Sequence, residues 1–481
     1  MTKQEFDIVI GKLSDIIKGT EFEGNLYVVG GACRSLLLGL PIKDIDIVLT
    51  MANGGIRFAE YCKEHEYTDN IVVYPTYGTA MFHLKMDDGS EVEIECVHTR
   101  KEWYFDRDSR NPTTEYGTIE DDSIRRDLTI NAIYYNVSTR EFIDPTGKGI
   151  EDIKNKRIRV TSDPDKVFYD DALRILRCIR FMCVLGWKDI DKETYDGLIR
   201  QVDRLEIISK ERINEELRKI LISDNPRLGL EMLRDISALK YVMPTMELTV
   251  GMEQNKYHFG DVFEHTLAVV DKVPNDYVLR MAAFVHDIGK PASLTIDENG
   301  KRHFYKHEAA GATILKDAMH SMKYPTDFIN GVVFLVKNHM RTKSYSNDIS
   351  ELKDKQVRKM QYFCHTPERF ENLLALIDAD NKSHAEAYIK DKQIDNIRQR
   401  SQELVENGTA MFDGMWKMPV DGHDIMRYMD IPPSSLVQDC LGIIRHNCYA
   451  DPHLSKEAAL RKLNGKKKEL KKIQNNVSRQ N

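Results

Sequence analysis

The apolar period of this chain changes once, near Asp163, and that change divides it into two kinds of architecture. Before Asp163, short apolar runs at Leu26 to Val29, Asp44 to Leu49, Ile71 to Tyr74, Val92 to Val97 and Ile130 to Val137 read as strands between helical stretches. After it, spacings of three and four run through Phe168 to Phe181, Glu211 to Leu221 and Leu228 to Leu239, and the chain reads as helical almost to its end. The expected fold class is therefore α+β, a small mixed-sheet head followed by helical domains. Turn-rich breaks fall at Thr161-Ser162-Asp163-Pro164, at Pro244 to Gly251 and at Asn381 to Ser383. A length of 481 residues accommodates two to four such units.

Hydrophobic residues at 41% and charged residues at 30% fit a globular chain and exclude a fibrous or collagenous one. The longest apolar runs, such as Val332 to Val336, fall far short of the roughly 18 residues a membrane-spanning helix needs. The sequence MTKQEFDIVI has neither the basic start nor the apolar stretch of a signal peptide, so the expected location is cytoplasmic, with no membrane partner. Eight scattered cysteines with no C-x-x-C pair read as reduced thiols rather than a disulfide framework or zinc ribbon. The net charge of −7 does not announce a nucleic-acid binder, but basic residues cluster locally. Lys154 to Arg180 carries eight, and Lys462 to the end carries seven against one acid. The tail reads either as a solvated terminus or as an RNA contact.

Chemistry first enters where Leu26-Tyr27-Val28-Val29 runs into Gly30-Gly31 and then Ala32-Cys33-Arg34. A strand, a glycine turn and a helix start together leave backbone N–H groups free to cradle phosphate, although a glycine pair alone is also compatible with a purely structural turn. The sequence Lys43-Asp44-Ile45-Asp46-Ile47-Val48 then places two carboxylates on one face of a strand and two isoleucines on the other. Two like charges held that close call for a cation between them, a solvent-facing edge strand with ordinary polar residues being the competing reading. A second acidic strand, Glu91-Val92-Glu93-Ile94-Glu95-Cys96, would add a glutamate if it lay beside the first. Such a set could hold two Mg²⁺ ions for in-line nucleotidyl transfer.

These residues, Gly30-Gly31-x-x-Arg34 followed by Asp44-x-Asp46, resemble the catalytic head of polymerase-beta-type nucleotidyltransferases. The rest of the chain is similar to the family of tRNA nucleotidyltransferases (CCA-adding enzymes) and bacterial poly(A) polymerases, class II. Matching blocks follow in order: Arg125-Arg126-Asp127-Leu128-Thr129-Ile130-Asn131-Ala132, then Asp144-Pro145-x-Gly147-x-Gly149, then Asp170-Asp171-x-x-Arg174-x-x-Arg177, then Ser209-x-Glu211-Arg212. Two positions depart from the family pattern. Ser35 stands where aspartate usually follows the arginine, and Asp170 stands where the selecting motif usually opens with glutamate.

The resemblance implies Asp44, Asp46 and Glu95 as the catalytic carboxylates with Mg²⁺ as their ion. It implies nucleotide contacts from Gly30, Gly31, Arg34, Arg125, Arg126, Asp127, Asn131, Asp170, Asp171, Arg174, Arg177 and Arg180. On a continuous helix, residues three apart lie about 60° apart around the axis, so Asp171, Arg174 and Arg177 would share one face. A carboxylate accepts protons and a guanidinium only donates them. Cytosine and adenine each present an amino donor beside a ring-nitrogen acceptor, so this pair should take CTP and ATP and reject UTP and GTP. An intrahelical ion pair is the competing structural reading.

A second constellation lies in the helical part. His265, the adjacent pair His286-Asp287, His307, His339 and Asp378 occur in order, each in a helical setting. This pattern resembles the HD metal-dependent phosphohydrolase domain, with His265, His286, Asp287 and Asp378 as the implied ligand set and His307 and His339 at the extra positions of two-metal members. Imidazole with carboxylate suits a divalent transition metal, Mg²⁺ remaining possible, so the ion's identity stays open.

The resemblance thus implies a head at residues 1–155, a helical neck at 156–245 for nucleotide selection and RNA binding, an HD domain at 246–385 and a helical C-terminal region with a basic tail at 386–481. The implied enzyme adds C, C and A to the 3′ end of tRNA. The alternatives are a poly(A) polymerase or an enzyme adding only part of CCA, and, from another class, an HD phosphohydrolase with an RNA-binding head.

Overall fold

The computed structural model describes residues 1–75, 78–103, 113–255 and 260–469, so the end of the basic tail lies outside the described residues. The chain forms two units, Met1–Glu247 with Ala318–Tyr324, and Leu248–Asp317 with Pro325–Asn481.

The first unit is built on strands β1 (Leu26–Val29), β2 (Ile45–Leu49), β3 (Ile71–Tyr74), β4 (Thr79–Lys85), β5 (Glu91–His98), β6 (Arg100–Trp103), β7 (Thr113–Tyr116), β8 (Tyr134–Asn136) and β9 (Phe142–Ile143). Seven of them form one mixed sheet in the order β3-β4-β5-β2-β1-β8-β9, and β6 pairs with β7 apart from it. β2 and β5 run parallel, and the other neighbours are antiparallel. Alternation places Ile45, Ile47, Ile94 and Cys96 on the covered face. The helix Gly54–Glu64 packs on β4 and β5 there. Its approach is so close that a side chain at Gly55 would meet the Cys96 carbonyl oxygen at 2.6 Å. The helix Lys3–Ile17 opens with a reciprocal cap in which Glu5 N–H donates to Thr2 Oγ1 and Thr2 N–H to the Glu5 carboxylate, and it buries Phe6, Val9, Ile10 and Leu13.

Helices then follow at Pro164–Asp170, Leu173–Leu185, Lys192–Gln201, Lys210–Leu221 and Pro226–Asp235. The continuous helix expected through Phe168 to Phe181 is broken at Asp171, whose φ of −146° is extended. Local hydrogen bonds stabilise the break: Leu173 N–H donates to Asp171 Oδ1 at 3.1 Å, and Arg174 Nη1 donates to the Val167 carbonyl at 3.2 Å. Beyond the break, Leu173, Ile175, Leu176 and Ile179 are buried.

The second unit is mostly helical, with Val262–Lys272, Tyr277–Val285, Thr326–Asn338, Asp354–Cys364, Pro367–Asn381 and Gln393–Glu406 forming its larger part. Gly422–Met429, Ser435–Cys448 and Lys456–Arg461 enclose a further core around Ile425, Cys440 and Ile444. One hairpin, Leu294–Ile296 with Arg302–Phe304, interrupts the helices. Its first strand is exposed throughout, so it carries no apolar period from which to read it. Among the described residues, no helix is long and apolar enough to cross a membrane.

Candidate active sites

In the head, the parallel register of β2 and β5 sets Asp46 opposite Glu95, while β1 sets Val29 opposite Asp46 on the other side. Asp44 lies one residue before β2 begins, on the exposed approach to the strand. Burial first, then Glu95, with a smaller push from Asp44, raises the Asp46 carboxyl to about 6. The rise persists although the Arg126 guanidinium opposes it, so these three carboxylates keep negative charge that fits a hard divalent cation. Glu93, by contrast, faces His83 across β4.

The turn after β1 closes over Asp46. Gly30 adopts φ 75° and ψ −129°, a conformation available to glycine alone, and a Cβ there would stand 3.5 Å from Asp46 Oδ2 and 3.8 Å from Arg126 Nη1. Gly30 caps the helix Gly31–Leu38 without a side chain, so the first helical amides have no side-chain acceptor.

Arg125 and Arg126 share one acid that sequence reasoning passed over, the fully buried Asp122. Arg125 donates to Asp122 Oδ1 from Nε at 2.9 Å and Nη2 at 2.6 Å. Arg126 approaches Oδ2 with Nε at 3.1 Å and Nη2 at 3.0 Å, and the Tyr134 hydroxyl donates to the same oxygen at 2.7 Å. Burial opposes ionisation of Asp122, but Arg126 and Arg125 outweigh it and pull the carboxyl down to about 2. The spacing Asp122 to Arg125 and Arg126, three and four along, was the signal available in the sequence.

Asp127 turns the other way. Its Oδ2 accepts from Arg177 Nε at 2.8 Å, and its Oδ1 accepts from Leu128 N–H at 2.8 Å and Asn131 Nδ2 at 3.0 Å. Burial alone would raise this carboxyl, and Arg177 and Asn131 together hold it below the ordinary value. Arg34 donates to the Asn131 amide oxygen. Arg34, Arg177 and Arg180 gather over the Phe181 ring at 4.9, 5.9 and 4.3 Å. Burial, with Arg180 and Arg177 nearby and Asp127 opposing them, lowers the Arg34 guanidinium to about 10. Arg180 also donates from Nε to Glu216 at 2.7 Å. A cluster with more guanidinium than carboxylate is suited to an anion.

The arrangement expected of the base-selecting residues needs correction. Asp171 sits in the helix break and does not share a helical face with Arg174 and Arg177; its Oδ2 accepts from Arg212 Nη2 at 3.1 Å. Arg174 Nη2 donates to the Arg125 carbonyl at 2.6 Å. Asp170, half-buried, is raised by its burial.

In the second unit, two groups of three buried residues have ligand atoms that all lie within 4.8 Å of one another: His265, His286 and Asp380, and Asp287, His307 and His339. Among the described residues, the head carboxylates form no group so tight. Asp287 spans the two groups, with Oδ2 3.1 Å from His286 Nε2 and Oδ1 3.2 Å from His307 Nε2. Asp380 Oδ1 lies 3.0 Å from His265 Nε2. All four imidazoles turn Nδ1 to a backbone carbonyl, His265 to Ser383 at 3.4 Å, His286 to Ala283 and His307 to Phe304 at 2.9 Å, and His339 to Val336 at 2.7 Å. That anchoring directs the Nε2 lone pairs inward, as metal-ligating histidines require. His307 Nε2 and His339 Nε2 face each other at 3.2 Å. Burial, reinforced by His307 and His286, lowers the His339 imidazole to about 3, so it stays neutral and able to ligate.

Asp378, the acid expected in this set, pairs instead with Lys382 Nζ at 2.7 Å. Residues two apart on a helix point about 200° from each other, so Asp378 and Asp380 cannot face the same cluster. Asp380 is in phase with the buried Leu373 and Ile377, which was the readable signal. Lys290, also missed, is buried with its Nζ 2.7 Å from Asp287 Oδ2.

A nucleotidyltransferase-type head joined to a helical unit with an HD constellation defines the class of this protein. The comparisons agree: residues 26–159 match the poly A polymerase head domain, 189–248 the probable RNA- and SrmB-binding site of polymerase A, and 257–379 the HD domain. The chain is 29% identical over 382 residues to the multifunctional CCA protein of Actinobacillus pleuropneumoniae serotype 5b, covering 74% of this chain and 84% of that one. It is 34% identical over 231 residues to the mitochondrial CCA tRNA nucleotidyltransferase of Candida glabrata, covering 44% of this chain and 41% of that one. The fold matches the crystal structure of the Bacillus stearothermophilus CCA-adding enzyme in complex with CTP, with a TM-score of 0.65 at 20% identity, covering 97% and 99% of the two chains. The chain thus combines, in order, segments that match a poly A polymerase head, its RNA-binding region and an HD domain, and it is similar along most of its length to multifunctional CCA proteins.

Proposed function

We propose that this protein adds C, C and A to the 3′ end of tRNA, using CTP and ATP. The observation that carries the reading is the Asp46–Glu95 register beside the Gly30 turn, a pair of neighbouring carboxylates next to a glycine-capped helix start. Asp44, Asp46 and Glu95 would hold Mg²⁺, which when bound lowers the charge of the triphosphate and the pKa of the attacking 3′-hydroxyl. In the transfer, the RNA 3′ hydroxyl gives up its proton to solvent, its oxygen bonds to the α-phosphorus, the bond from that phosphorus to the α–β bridging oxygen breaks, and pyrophosphate leaves with the charge. Gly30 and Gly31 admit the triphosphate to the helix amides, and Arg126 stands next to Asp46 with its guanidinium fixed by Asp122. Arg34, Arg177 and Arg180 offer the remaining cationic surface, with Asp127 and Asn131 orienting Arg177 and Arg34.

Asp171 and Arg174 read the base edge, with Asp170 beside them. Asp171 has Arg212 as its partner before nucleotide arrives, so the base must share or displace that contact. The chain is read as a head over 1–155, a neck over 156–245, an HD domain over 246–385 and a C-terminal region over 386–481. The unpaired, buried state of all eight cysteines supports the cytoplasm as the place of action. The test is extension of a tRNA lacking its CCA end, and long A tails would favour the poly(A) polymerase alternative.

A second activity, phosphoester hydrolysis, is favoured by the inward-facing donors of the HD constellation. His265, His286 and Asp380 would hold one divalent metal and Asp287, His307 and His339 a second, which when bound would supply a nucleophilic hydroxide. In the overall reaction, the oxygen of water bonds to phosphorus, the ester P–O bond breaks, and the alcohol leaves carrying a proton. Release of phosphate from phosphoesters that depends on His286 and Asp287 tests this reading.

A further inference from the structure

The HD donors open onto a cavity of about 530 Å³ whose walls include Asp287, His307, His339 and Asp380, and also rings that a metal site does not need, among them His303 and Tyr305. Tyr305 is 71% exposed, yet its ring is fixed. It lies parallel to His303, with centroids 5.2 Å apart and 8° between the planes, and its hydroxyl is 3.2 Å from His303 Nδ1. His303 is held in turn by Asp297 through Nε2 at 3.0 Å, and by its place opposite Thr295 in the exposed hairpin. The hairpin thus presents an aromatic face to the cavity. Ring faces held in this way bind planar partners, and every nucleobase has one.

The charge of the same walls selects an anion. Besides Lys290, which Asp287 engages, the cavity is lined by Lys301, Lys343 and Lys390, while its acids are Asp287 and Asp380 of the donor groups. Lys390 is fixed by the carbonyls of Lys343 and Tyr345 at 2.8 and 3.0 Å. A stacking face and ammonium groups in the walls of one cavity with the His and Asp donors match the two ends of a nucleotide. We propose that Tyr305, oriented by His303, is the base-binding platform of the HD cavity, so that the phosphate presented to the His and Asp donors belongs to a nucleotide rather than to a small alcohol. The inference deepens the hydrolase reading and rests on it.

The test uses full-length protein with Mn²⁺ and compares wild type, Tyr305→Ala and Tyr305→Phe on nucleoside 3′-monophosphates and on β-glycerophosphate. The expected result is a KM raised about tenfold by Tyr305→Ala for the nucleotide alone, the loss of one stacked base, with kcat and glycerophosphate hydrolysis unchanged and Tyr305→Phe close to wild type. Equal loss on both substrates, or no change on either, would overturn the proposal. Photo-crosslinking of 5-iodouridine 3′-monophosphate, mapped by peptide mass spectrometry, gives a readout independent of hydrolysis. A crosslink at Tyr305 or His303 supports the platform even if no phosphate is released, in which case only the hydrolase reading fails. A crosslink found only outside this hairpin overturns the platform.

Discussion

Asp46 and Glu95 occupy the same rung of two adjacent parallel strands, so their carboxylates emerge side by side from the uncovered face of the head sheet. The repulsion between them is part of what raises Asp46, and it is relieved by a bound cation. In the proposed transfer, the charge that would hold the cation is therefore also part of what raises Asp46.

Asp46→Asn or Glu95→Gln is expected to lower nucleotide incorporation by about 100–1,000-fold or more, the scale for losing one preorganised charge-handling group. Circular dichroism and melting temperature should stay near wild type, because neither carboxylate is needed to pack the sheet. Protons compete with the cation for Asp46, so the Mg²⁺ concentration for half-maximal rate should rise as pH falls through about 6. Mg²⁺ titrations on both sides of that pH check it, and a flat dependence contradicts it.

Asp122 predicts the acid limit of the head. Its folded carboxyl sits at about 2 against an ordinary 3.8, so its contribution is present in full above the unfolded value and is lost as pH falls from there through about 2. The shift corresponds to about 2 kcal/mol. Asp122→Asn leaves Arg125 and Arg126 buried beside a neutral group and should cost about 3–5 kcal/mol at neutral pH. Denaturant unfolding across the acid range measures both, and the variant should lack this part of the wild-type acid dependence.

Asp171→Ala should reduce the preference for CTP over UTP by about 10–100-fold, the equivalent of about 1–3 kcal/mol for one buried hydrogen-bonding group. Arg212→Ala removes a half-exposed ion pair, so its effect on stability should stay within about 1 kcal/mol. Single-nucleotide incorporation assays decide whether Arg212 tunes the base reader or only steadies the neck.

The strands bearing the carboxylates were legible because alternation of two is a geometric signature: Ile45 and Ile47 had to face inward, which turned Asp46 outward. β4 was missed although Ala80, Phe82 and Leu84 alternate inward, because its outward positions include Met81 and mask the period. The helix break at Asp171 was not legible, since a short acid capping its own backbone looks the same in sequence as one exposed on a helix. Asp378 was taken for Asp380 because a motif fixes residue type but not helical phase. The Asp122 clamp and the Tyr305 hairpin depend on contacts between segments, which spacing records only faintly.

Asp380→Ala should lower the amount of divalent metal retained by the HD constellation, while Asp378→Ala should leave it unchanged. Metal content after dialysis, by elemental analysis of each variant, distinguishes them. Both variants should extend tRNA at the wild-type rate, because the carboxylates proposed for transfer lie in the head.

The most direct measurement supplies the protein and Mg²⁺ with a tRNA transcript lacking CCA, together with single and mixed nucleoside triphosphates, and sequences the 3′ ends. The account predicts termination at CCA with UTP and GTP ignored, and loss of extension in Asp46→Asn. Long A tails, or undiminished extension by Asp46→Asn, would contradict it.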